Sequence, residues 1–270
     1  MSPLYDTPIK EAEYVVFDFE TTGLRPSDGA EAVEIGALRV RYAEVIGHFT
    51  ELVCPVRPIP PDMTAIHGIT DVMVAEARPI SEVLPDFLGF AGGAVLAAQN
   101  LTFDLSFLAA ACEAAGEELP DVPGVDLISL SKTLLPGRDR YNLEETCRAL
   151  GIRLVDAHRA MSDVAAEAQI LLTYVEELAS RDPETTVAGL IGASKGGGPY
   201  DAWLIVAMER AAAVGDPITI TYEKQGEAPA ERTIIVKSVY GGAGKIFVKS
   251  HDLDKGEKRT FRLDRLSLGD

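Results

Sequence analysis

Hydrophobic positions change their spacing from one segment of the chain to the next, and these changes predict strands and helices. A β-branched and aromatic run begins at Tyr14, and partly alternating apolar residues over 31–41 and 44–54 predict a hairpin, which four prolines over 55–61 end. Helical spacing and short apolar runs then predict a helix over 80–91, a strand over 94–98, a helix over 101–115, a strand over 121–126 and helices over 143–150 and 161–178. A hairpin followed by strands that alternate with helices predicts an α/β domain, in which a mixed sheet is flanked by helices.

The pattern changes beyond residue 181. The tetrapeptide Gly196-Gly197-Gly198-Pro199 predicts a linker, which we place over 182–200, and a helix is predicted over 201–214 with Asp201 as its cap. Period-two runs over 218–223, 232–240, 245–250 and 259–268 predict a small all-β domain, a barrel. The predicted organisation is residues 1–181 as the α/β domain, 182–200 as the linker and 201–270 as a helix plus a small β-barrel.

Composition is that of an ordinary globular protein. The 270 residues are 47% hydrophobic and 25% charged, with no apolar run near 18 residues and no basic-then-hydrophobic leader, so we expect a cytoplasmic protein without a membrane segment. The three cysteines are widely spaced and form no Cys-x-x-Cys pair, which argues against a disulfide framework or a zinc site.

The net charge of the chain limits how it can bind nucleic acid. A net charge of −17 argues against a protein that coats duplex DNA, and the acidic excess lies in residues 1–199, since residues 200–270 carry 11 basic and 11 acidic side chains. An acidic domain can still handle nucleic acid if its carboxylates hold metal ions that bridge to one phosphate. That arrangement implies binding at an end or at a few nucleotides.

Two carboxylates interrupt the first apolar run. Asp18 and Glu20 point the same way in a strand, and burying them unpaired costs several kcal/mol or more, so something cationic is expected beside them. Two hard oxygen ligands at the end of a buried strand suit Mg²⁺ or Mn²⁺. A strand that simply runs into a polar loop is the alternative interpretation of this pair taken alone.

Further acidic and imidazole groups occur where other predicted elements begin. Asp104 falls in the first turn or so of the helix after 94–98, and His158 and Asp163 lie five apart where a loop becomes a long helix. Together with Asp18 and Glu20 these carboxylates suit a site for two metal ions, with His158 as the general base that takes the proton of water. The chemistry indicated is phosphodiester hydrolysis.

The order of four motifs resembles the DnaQ-like exonucleases, the DEDD family with a histidine in its last motif, over residues 12–178. The motifs are Phe17-Asp18-Phe19-Glu20-Thr21-Thr22-Gly23-Leu24, Ile66-His67-Gly68-Ile69-Thr70, Asn100-Leu101-Thr102-Phe103-Asp104 and His158-Arg159-Ala160-Met161-Ser162-Asp163. The resemblance implies a ribonuclease H-like fold, with which the mixed sheet is compatible, and metal-dependent removal of nucleotides from the 3′ end of DNA or RNA.

The resemblance also implies roles for individual residues. Asp18, Glu20, Asp104 and Asp163 would be ligands of two Mg²⁺ or Mn²⁺ ions, and His158 would be the base. The expected substrate contacts are Thr21, Thr22, Gly23 and Leu24 around the terminal nucleotide, His67 within 66–70 against the terminal base or sugar, and Asn100. Gln99-Asn100 stands where many members have His-Asn, a departure that concerns packing or substrate contact, not metal binding.

Some of these residues have ordinary structural interpretations when taken alone. An isolated His67 is more typical of a structural histidine at a helix start, and Asn100 of a residue that holds a loop. Asp28, Glu31 and Glu34 are interpreted as a solvated loop and strand edge and not as further ligands.

The C-terminal part resembles a WYL domain, a small β-barrel of bacterial regulators. The resemblance rests on Ile218-Thr219-Ile220-Thr221-Tyr222, on Ile246-Phe247-Val248, which lacks the tyrosine of the family's tripeptide, and on the stretch 259–266. Arg259, Arg262 and Arg265 could bind a nucleotide, a phosphate or a single-stranded backbone, with Phe261 on the same face as Arg259 for base stacking. Alternatively, these arginines pair with Asp252, Asp254 or Glu257 on a solvated surface.

The sequence therefore predicts a 3′-to-5′ exonuclease acting on single-stranded DNA ends, with a C-terminal module for nucleic acid or a nucleotide ligand. Two alternatives stay open: a ligand-sensing regulator that binds nucleic acid without cutting it, and an exoribonuclease that trims RNA 3′ ends. Neither a polymerase or repair partner nor an oligomeric state can be inferred from the residues.

Overall fold

A five-stranded mixed sheet forms the centre of the N-terminal half in the computed structural model, which describes residues 3–120, 122–155, 158–194, 202–223, 228–242 and 245–269. The strands are β1 Tyr14–Thr21, β2 Ala32–Arg41, β3 Glu44–Leu52, β4 Val95–Ala98 and β5 Gly124–Asp126, in the order β3-β2-β1-β4-β5. β1, β2 and β3 pair antiparallel, whereas β1, β4 and β5 pair parallel. The expectation of a mixed sheet is confirmed.

Eight helices accompany this sheet in the described residues. They are α1 Pro61–His67, α2 Asp71–Val74, α3 Ile80–Ala91, α4 Leu101–Ala115, α5 Leu127–Leu134, α6 Leu143–Leu150, α7 Ala160–Arg181 and α8 Val187–Ser194. Side-chain caps define several of their starts: Asp126 accepts a hydrogen bond from Ser129 N–H at 2.7 Å, and Asn142 accepts one from Glu145 N–H at 2.9 Å. None of the described helices is both long and apolar enough to cross a lipid bilayer.

The two faces of β1 pack against different helices. Phe17 and Phe19 contact Phe87 of α3 at ring-centroid distances of 5.6 and 6.2 Å. Tyr14 and Val16 point the other way, into a buried cluster that includes Tyr174 of α7 and other apolar residues of that helix. The next residues on the α7 face are Asp18 and Glu20, so hydrophobic packing on both sides of β1 determines where these carboxylates point.

Part of the predicted linker forms a helix that packs on the N-terminal core. Val187 and Leu190 of α8 are completely buried, and backbone hydrogen bonds join Thr185 to Ile9 and Val187 to Thr7, each at 2.9 Å. Residues 187–194 are therefore a packed helix, because their apolar side chains complete the cluster around α7. The tetrapeptide at 196–199, the cap at 201 and the first residue of the predicted strand over 121–126 lie outside the described residues.

The chain divides into two units, residues 1–197 and residues 198–270. The C-terminal unit contains a helix and an antiparallel sheet. Its elements are α9 Ala202–Val214, β6 Pro217–Tyr222, β7 Ala230–Gly242, β8 Lys245–Asp252, β9 Glu257–Arg262 and β10 Leu266–Leu268, with strand order β10-β6-β7-β8-β9. Apolar residues of α9 and of the sheet share one core, which includes Met208, Ile220 and Phe261. α9 packs on β7.

The final predicted strand is wrong in one respect. Residues 259–268 form two strands at opposite edges of the sheet, separated by a 3-10 turn over Leu263–Arg265, because Leu263 turns into the core and is only 1% exposed. β9 and β10 are not paired with each other in the described residues, so closure of the sheet into a barrel stays a prediction.

Candidate active site

The two carboxylates of β1 lie at its free end. β1 pairs with β2 along its whole length but with β4 only through Tyr14–Val16, so Asp18 and Glu20 extend beyond the end of β4. Asp18 is partly buried and Glu20 is 9% exposed. Both carboxylates therefore emerge at the carboxyl end of a central strand, where α/β sheets commonly form their active sites.

Asp104 reaches the same region from α4. It is the fourth residue of that helix and is buried, and its Oδ1 accepts a hydrogen bond from the backbone N–H of Phe19 at 3.1 Å. Because β4 ends at Ala98, this N–H faces the start of α4 and not a neighbouring strand. The hydrogen bond fixes the third carboxylate next to the residue that separates Asp18 from Glu20.

α7 supplies the fourth carboxylate in its first turn. One oxygen each of Asp18, Glu20 and Asp163 lies within 4.8 Å of the others, a spacing at which one cation could contact all three. Asp163 Oδ2 accepts a hydrogen bond from the backbone N–H of His158 at 3.1 Å. Its Oδ1 is buried and has no hydrogen-bond partner within the described ranges, which leaves a carboxylate oxygen available for a cation.

His158 lies on the approach to this cluster. Its side chain is exposed, and its backbone has a φ of 68°, in the left-handed region that residues other than glycine rarely adopt. Burial raises the pKa of Asp163, while the hydrogen bond from His158 and the charge of its imidazole act in the opposite direction. The backbone hydrogen bond therefore places His158 directly beside the carboxylate of Asp163.

Burial and mutual repulsion hold protons on the other carboxylates. Burial raises the pKa of Asp18 to about 7, with the charges of Asp163 and Glu34 adding to the effect. Burial and the charge of Asp18 likewise raise the pKa of Glu20 to about 8. The pKa of Asp104 is raised by burial and by Asp18, against the hydrogen bond from Phe19. A divalent cation would relieve both causes, so the donor set fits Mg²⁺ or Mn²⁺.

The residues after β1 form a braced turn beside the carboxylates. Thr21 is buried and donates a hydrogen bond from its hydroxyl to the carbonyl of Gly23 at 2.7 Å, while Thr22 Oγ1 accepts one from Glu31 N–H at 2.9 Å. Leu24 is 77% exposed. The two threonine hydroxyls thus stabilise the turn, which presents Leu24 to solvent; contact with a terminal nucleotide stays a prediction for Thr21, Thr22, Gly23 and Leu24.

His67 and Asn100 occupy the ends of helices. His67 is the last residue of α1, not the first of a helix, and it is buried, with Nδ1 accepting a hydrogen bond from Ile69 N–H at 3.0 Å. Burial lowers its pKa, against a smaller opposing effect of the Thr21 backbone, which places the ring beside the braced turn. Asn100 is the exposed N-cap residue of α4, and its side chain makes no capping hydrogen bond. Substrate contact by either residue stays a prediction.

The C-terminal arginines lie in a separate unit of the chain. Arg259 forms an ion pair with Glu257 at 2.5 Å and lies 3.6 Å from Asp252. These contacts agree with the alternative in which the arginines pair with acidic residues on a solvated surface. The prediction that Phe261 stacks on a base is wrong, because Phe261 is 3% exposed and packs edge-on against Tyr222. Arg262 ends β9, and Arg265 ends the following 3-10 turn; both are partly buried.

Two buried acidic residues near the cluster escaped the sequence analysis. Glu34 was interpreted as part of a solvated edge, yet it lies on the inner strand β2 opposite Glu20 and is 1% exposed. Glu167 is equally buried on α7, and its pKa is raised by burial and then by Asp18, Asp104 and other site carboxylates. Its position four residues after Asp163, on the same helix face, was the available signal. Glu34 had no such signal, since its carboxylate is buried against Arg159 and Ala160, which are far from it in the sequence.

The fold and the carboxylate cluster together define an α/β protein with the ribonuclease H-like exonuclease fold. The exonuclease family model, RNase_T, matches residues 15–171, and the chain belongs to that family. The resemblance of the N-terminal part to DnaQ-like exonucleases is thereby confirmed.

Two relatives show where the similarity lies. A DNA polymerase III subunit epsilon-like protein of Rhodobacter capsulatus is 40% identical over 200 residues, which cover 73% of this chain and 28% of that protein. A PolC-type DNA polymerase III of Thermotoga petrophila is 37% identical over 172 residues, 64% of this chain and 12% of that protein. The chain thus spans between an eighth and a third of the length of these relatives.

Solved structures with the same fold include two nucleases. Exonuclease X in complex with 5′ overhanging duplex DNA has a TM-score of 0.51 at 23% identity and covers 67% of this chain and 99% of that one. The nuclease domain of 3′hExo, a DEDDh family member bound to rAMP, has a TM-score of 0.54 at 19% identity and covers 66% and 95%. At these identities the likeness concerns the fold.

Proposed function

We propose that this chain is a 3′-to-5′ exonuclease that depends on Mg²⁺ or Mn²⁺ and removes nucleotides from single-stranded ends. The observation that carries the proposal is the 4.8 Å clustering of Asp18, Glu20 and Asp163 in a member of the exonuclease family. Asp104, held against Phe19 N–H, adds the fourth carboxylate. A surplus of carboxylates over what one ion needs supports two ions.

The chain's own residues would share the work of hydrolysis. Bound divalent ions lower the pKa of water and stabilise the leaving oxygen of an in-line displacement at phosphorus. Asp18, Glu20, Asp104 and Asp163 would hold these ions against one scissile phosphate. His158, exposed at the mouth of the cluster, would accept the proton of the attacking water on an imidazole nitrogen.

The substrate part of the proposal is single-stranded DNA, with RNA 3′ ends as the alternative. An acidic domain with a localised metal site is suited to gripping one terminal phosphate, not a long duplex. Solved structures of this fold contain a DNA duplex with a 5′ overhang in one protein and the ribonucleotide rAMP in another, so neither sugar is foreign to the fold.

The test is an end-labelled oligonucleotide assay of the full chain. A 5′-labelled single strand incubated with Mn²⁺ or Mg²⁺ between pH 7 and 9 should shorten stepwise from its 3′ end, and Asp18→Asn should abolish the shortening. Glu118→Gln is the matched control, because it removes one acidic charge from an exposed site beyond the opposite end of α4 from Asp104. DNA and RNA strands of equal sequence then report whether a 2′-hydroxyl is accepted.

The same assay separates the proposal from its non-catalytic alternative. A wild-type chain that binds the labelled strand but leaves its length unchanged with both metals would indicate a regulatory nucleic-acid-binding protein. Shortening from the 5′ end would contradict the proposed polarity.

For the C-terminal part we propose a WYL-like module that binds a nucleotide, a phosphate or a single-stranded backbone through Arg259, Arg262 and Arg265. The support is the sequence resemblance together with an antiparallel sheet in this region. The division into a nuclease domain over 1–181 and this module over 201–270 belongs to the same proposal. Of the predicted linker over 182–200, residues 187–194 form α8 on the N-terminal core and count with the nuclease domain. A phosphate at Arg259 would have to compete with Glu257 for the guanidinium.

A further inference from the structure

An ion pair next to the cluster connects the centre of the sheet to the segment that carries His158. Glu34 is buried on β2, in register with Glu20 of β1. Its Oε1 accepts a hydrogen bond from Arg159 Nη2 at 2.7 Å, and its Oε2 accepts one from Arg159 Nε at 3.2 Å. Oε2 also accepts a hydrogen bond from Ala160 N–H at 3.1 Å.

These contacts make Glu34 an N-terminal cap supplied by another element. The first N–H groups of a helix have no partner within the helix, and Arg159, the N-cap residue of α7, provides no side-chain cap. Glu34 fills that role from β2, and three N–H donors occupy its two oxygens. This geometry turns Glu34 toward α7 and away from the role of a metal ligand.

The residue held next to this cap is strained. His158 directly precedes Arg159, and its φ of 68° is a backbone conformation that residues with a side chain rarely adopt. Two anchors flank the strained residue: its own N–H bonds to Asp163 Oδ2, and the next two residues bond to Glu34. Strain of this kind persists only where the surrounding contacts over-determine it.

We propose that the Glu34–Arg159 ion pair is a positioning device that holds His158 in the orientation needed at the carboxylate cluster. The inference rests on the proposed nuclease function for the meaning of that orientation. Glu34 and Arg159 are positioning residues, because neither needs to touch the substrate or the reacting atoms. A purely structural role, in which the pair only stabilises the fold, is the competing explanation.

Arg159→Ala is the primary variant, because the side chain is 45% exposed and its loss leaves no cavity in the core. We expect kcat on a single-stranded oligonucleotide to fall about tenfold to a hundredfold, as for a small misplacement of a reacting group, with KM and the half-saturating Mn²⁺ concentration changed less than about threefold. Arg159→Lys retains the positive charge but not the bidentate hydrogen bonding, so it should recover part of kcat. Glu34→Gln should resemble Arg159→Ala.

Arg181→Ala is the matched control. It removes an exposed arginine that pairs with Glu177 at the other end of the same helix, so it should leave kcat unchanged.

A double-mutant cycle with His158→Asn distinguishes positioning from stability. If the ion pair acts through His158, Arg159→Ala should lower kcat in the wild type but cause little further loss in the His158→Asn background. Equal losses in both backgrounds, or a fall in melting temperature that accounts for the lost activity, would overturn the inference.

Amide hydrogen exchange gives a readout that does not depend on cleavage. Arg159→Ala should speed exchange at residues 158–163, whereas Arg181→Ala should not, and unchanged exchange there would overturn the inference even in an active enzyme. A wild-type chain that binds DNA without cutting it would instead contradict the proposed function, while the exchange result still decides whether the ion pair holds this segment.

Discussion

Asp18 and Glu20 owe their weakened acidity to burial at the end of β1 that extends beyond β4. Both follow an apolar run that packs on α7, so their carboxylates are buried beside Asp163 and not dispersed in solvent. Burial raises the pKa of Asp18 to about 7 and, with the charge of Asp18, that of Glu20 to about 8. At neutral pH, the metal-free cluster is therefore a source of instability that a bound cation relieves.

This predicts how the stability of the metal-free protein depends on pH. In the unfolded chain both groups titrate near their ordinary values of about 4, so the folded state binds more protons than the unfolded state between about pH 4 and pH 8. The contribution of Asp18 and Glu20 to stability in EDTA should therefore fall as pH rises through this window and level off above about pH 8. The measurement is the melting temperature in EDTA at pH 5, 6, 7 and 8.

Asp18→Asn isolates the cluster from the other titrating groups. The variant should melt higher than the wild type in EDTA at pH 8, by about 2–4 °C for each kcal/mol of repulsion removed, and its pH dependence should be shallower. Mn²⁺ should raise the melting temperature of the wild type more at pH 8 than at pH 5, and should raise that of the variant less. Parallel pH curves for the two proteins would contradict the assigned pKa shifts.

Single residues were predictable where a charge broke an apolar pattern. Asp18 and Glu20 were chosen from sequence for that reason, and Asp163 because it lies five residues after His158 where a loop becomes a long helix. The structure brings the oxygens of all three together. Glu34 was misjudged because its carboxylate is covered by the start of α7, where Arg159 and Ala160 donate hydrogen bonds to it, a contact between distant segments that no local window of sequence contains. Phe261 was misassigned because alternation identifies two faces of a strand but not which face is buried.

At the scale of elements, the length of the periodic segment decided what could be predicted. α4 and α6 have the predicted bounds, and α7 extends the predicted helix at both ends. The missed helices are short: α1 has seven residues, α2 has four, and α5 and α8 have eight each. α8 owes its position to two side chains buried in a core assembled from distant segments. A helix of two turns is stabilised mainly by such packing, which the local sequence does not display.

Gly36 on β2 allows α7 to approach the sheet closely enough to place Asp163. A Cβ at this position would lie 2.7 Å from the carbonyl carbon of Ala160 and 2.8 Å from the nitrogen of Met161. Gly36→Ala should therefore displace the start of α7, destabilise the protein by about 1–3 kcal/mol and lower kcat. Thermal unfolding and the oligonucleotide assay measure the two effects.

Gly89→Ala is the matched control, since its Cβ would meet nothing within 4 Å and it lies inside α3. That variant should be neutral or slightly stabilising, because alanine lowers the entropy of the unfolded chain. If Gly36→Ala had the melting temperature and activity of Gly89→Ala, close contact between β2 and α7 would not be what positions Asp163.

At the scale of the whole molecule, two parts of the chain differ in charge: residues 1–199 carry the acidic excess, and residues 200–270 are balanced. The family match ends at residue 171, and the acidic excess ends before residue 200. A domain with 17 surplus negative charges repels a nucleic-acid backbone on balance, so its phosphate contacts would have to come from bound cations or from another part of the chain. A charge-balanced module on the same chain could supply the phosphate contacts that such a domain lacks, which is the physical case for assigning them to Arg259, Arg262 and Arg265.

The last prediction tests whether these arginines bind nucleic acid, in a variant that should not cleave it. In an Asp18→Asn background, replacing Arg259, Arg262 and Arg265 with Gln should weaken binding of a fluorescent single-stranded oligonucleotide about tenfold, the equivalent of one charge-assisted hydrogen bond. Because each neutralised phosphate releases counterions, the affinity should also become less sensitive to salt. Replacing Lys237, Lys249 and Lys255 with Gln removes three exposed cations of the same unit and controls for the loss of charge alone. Unchanged affinity and salt dependence in the arginine variant would instead leave Arg259 as a surface partner of Glu257 and contradict a nucleic-acid role for these side chains.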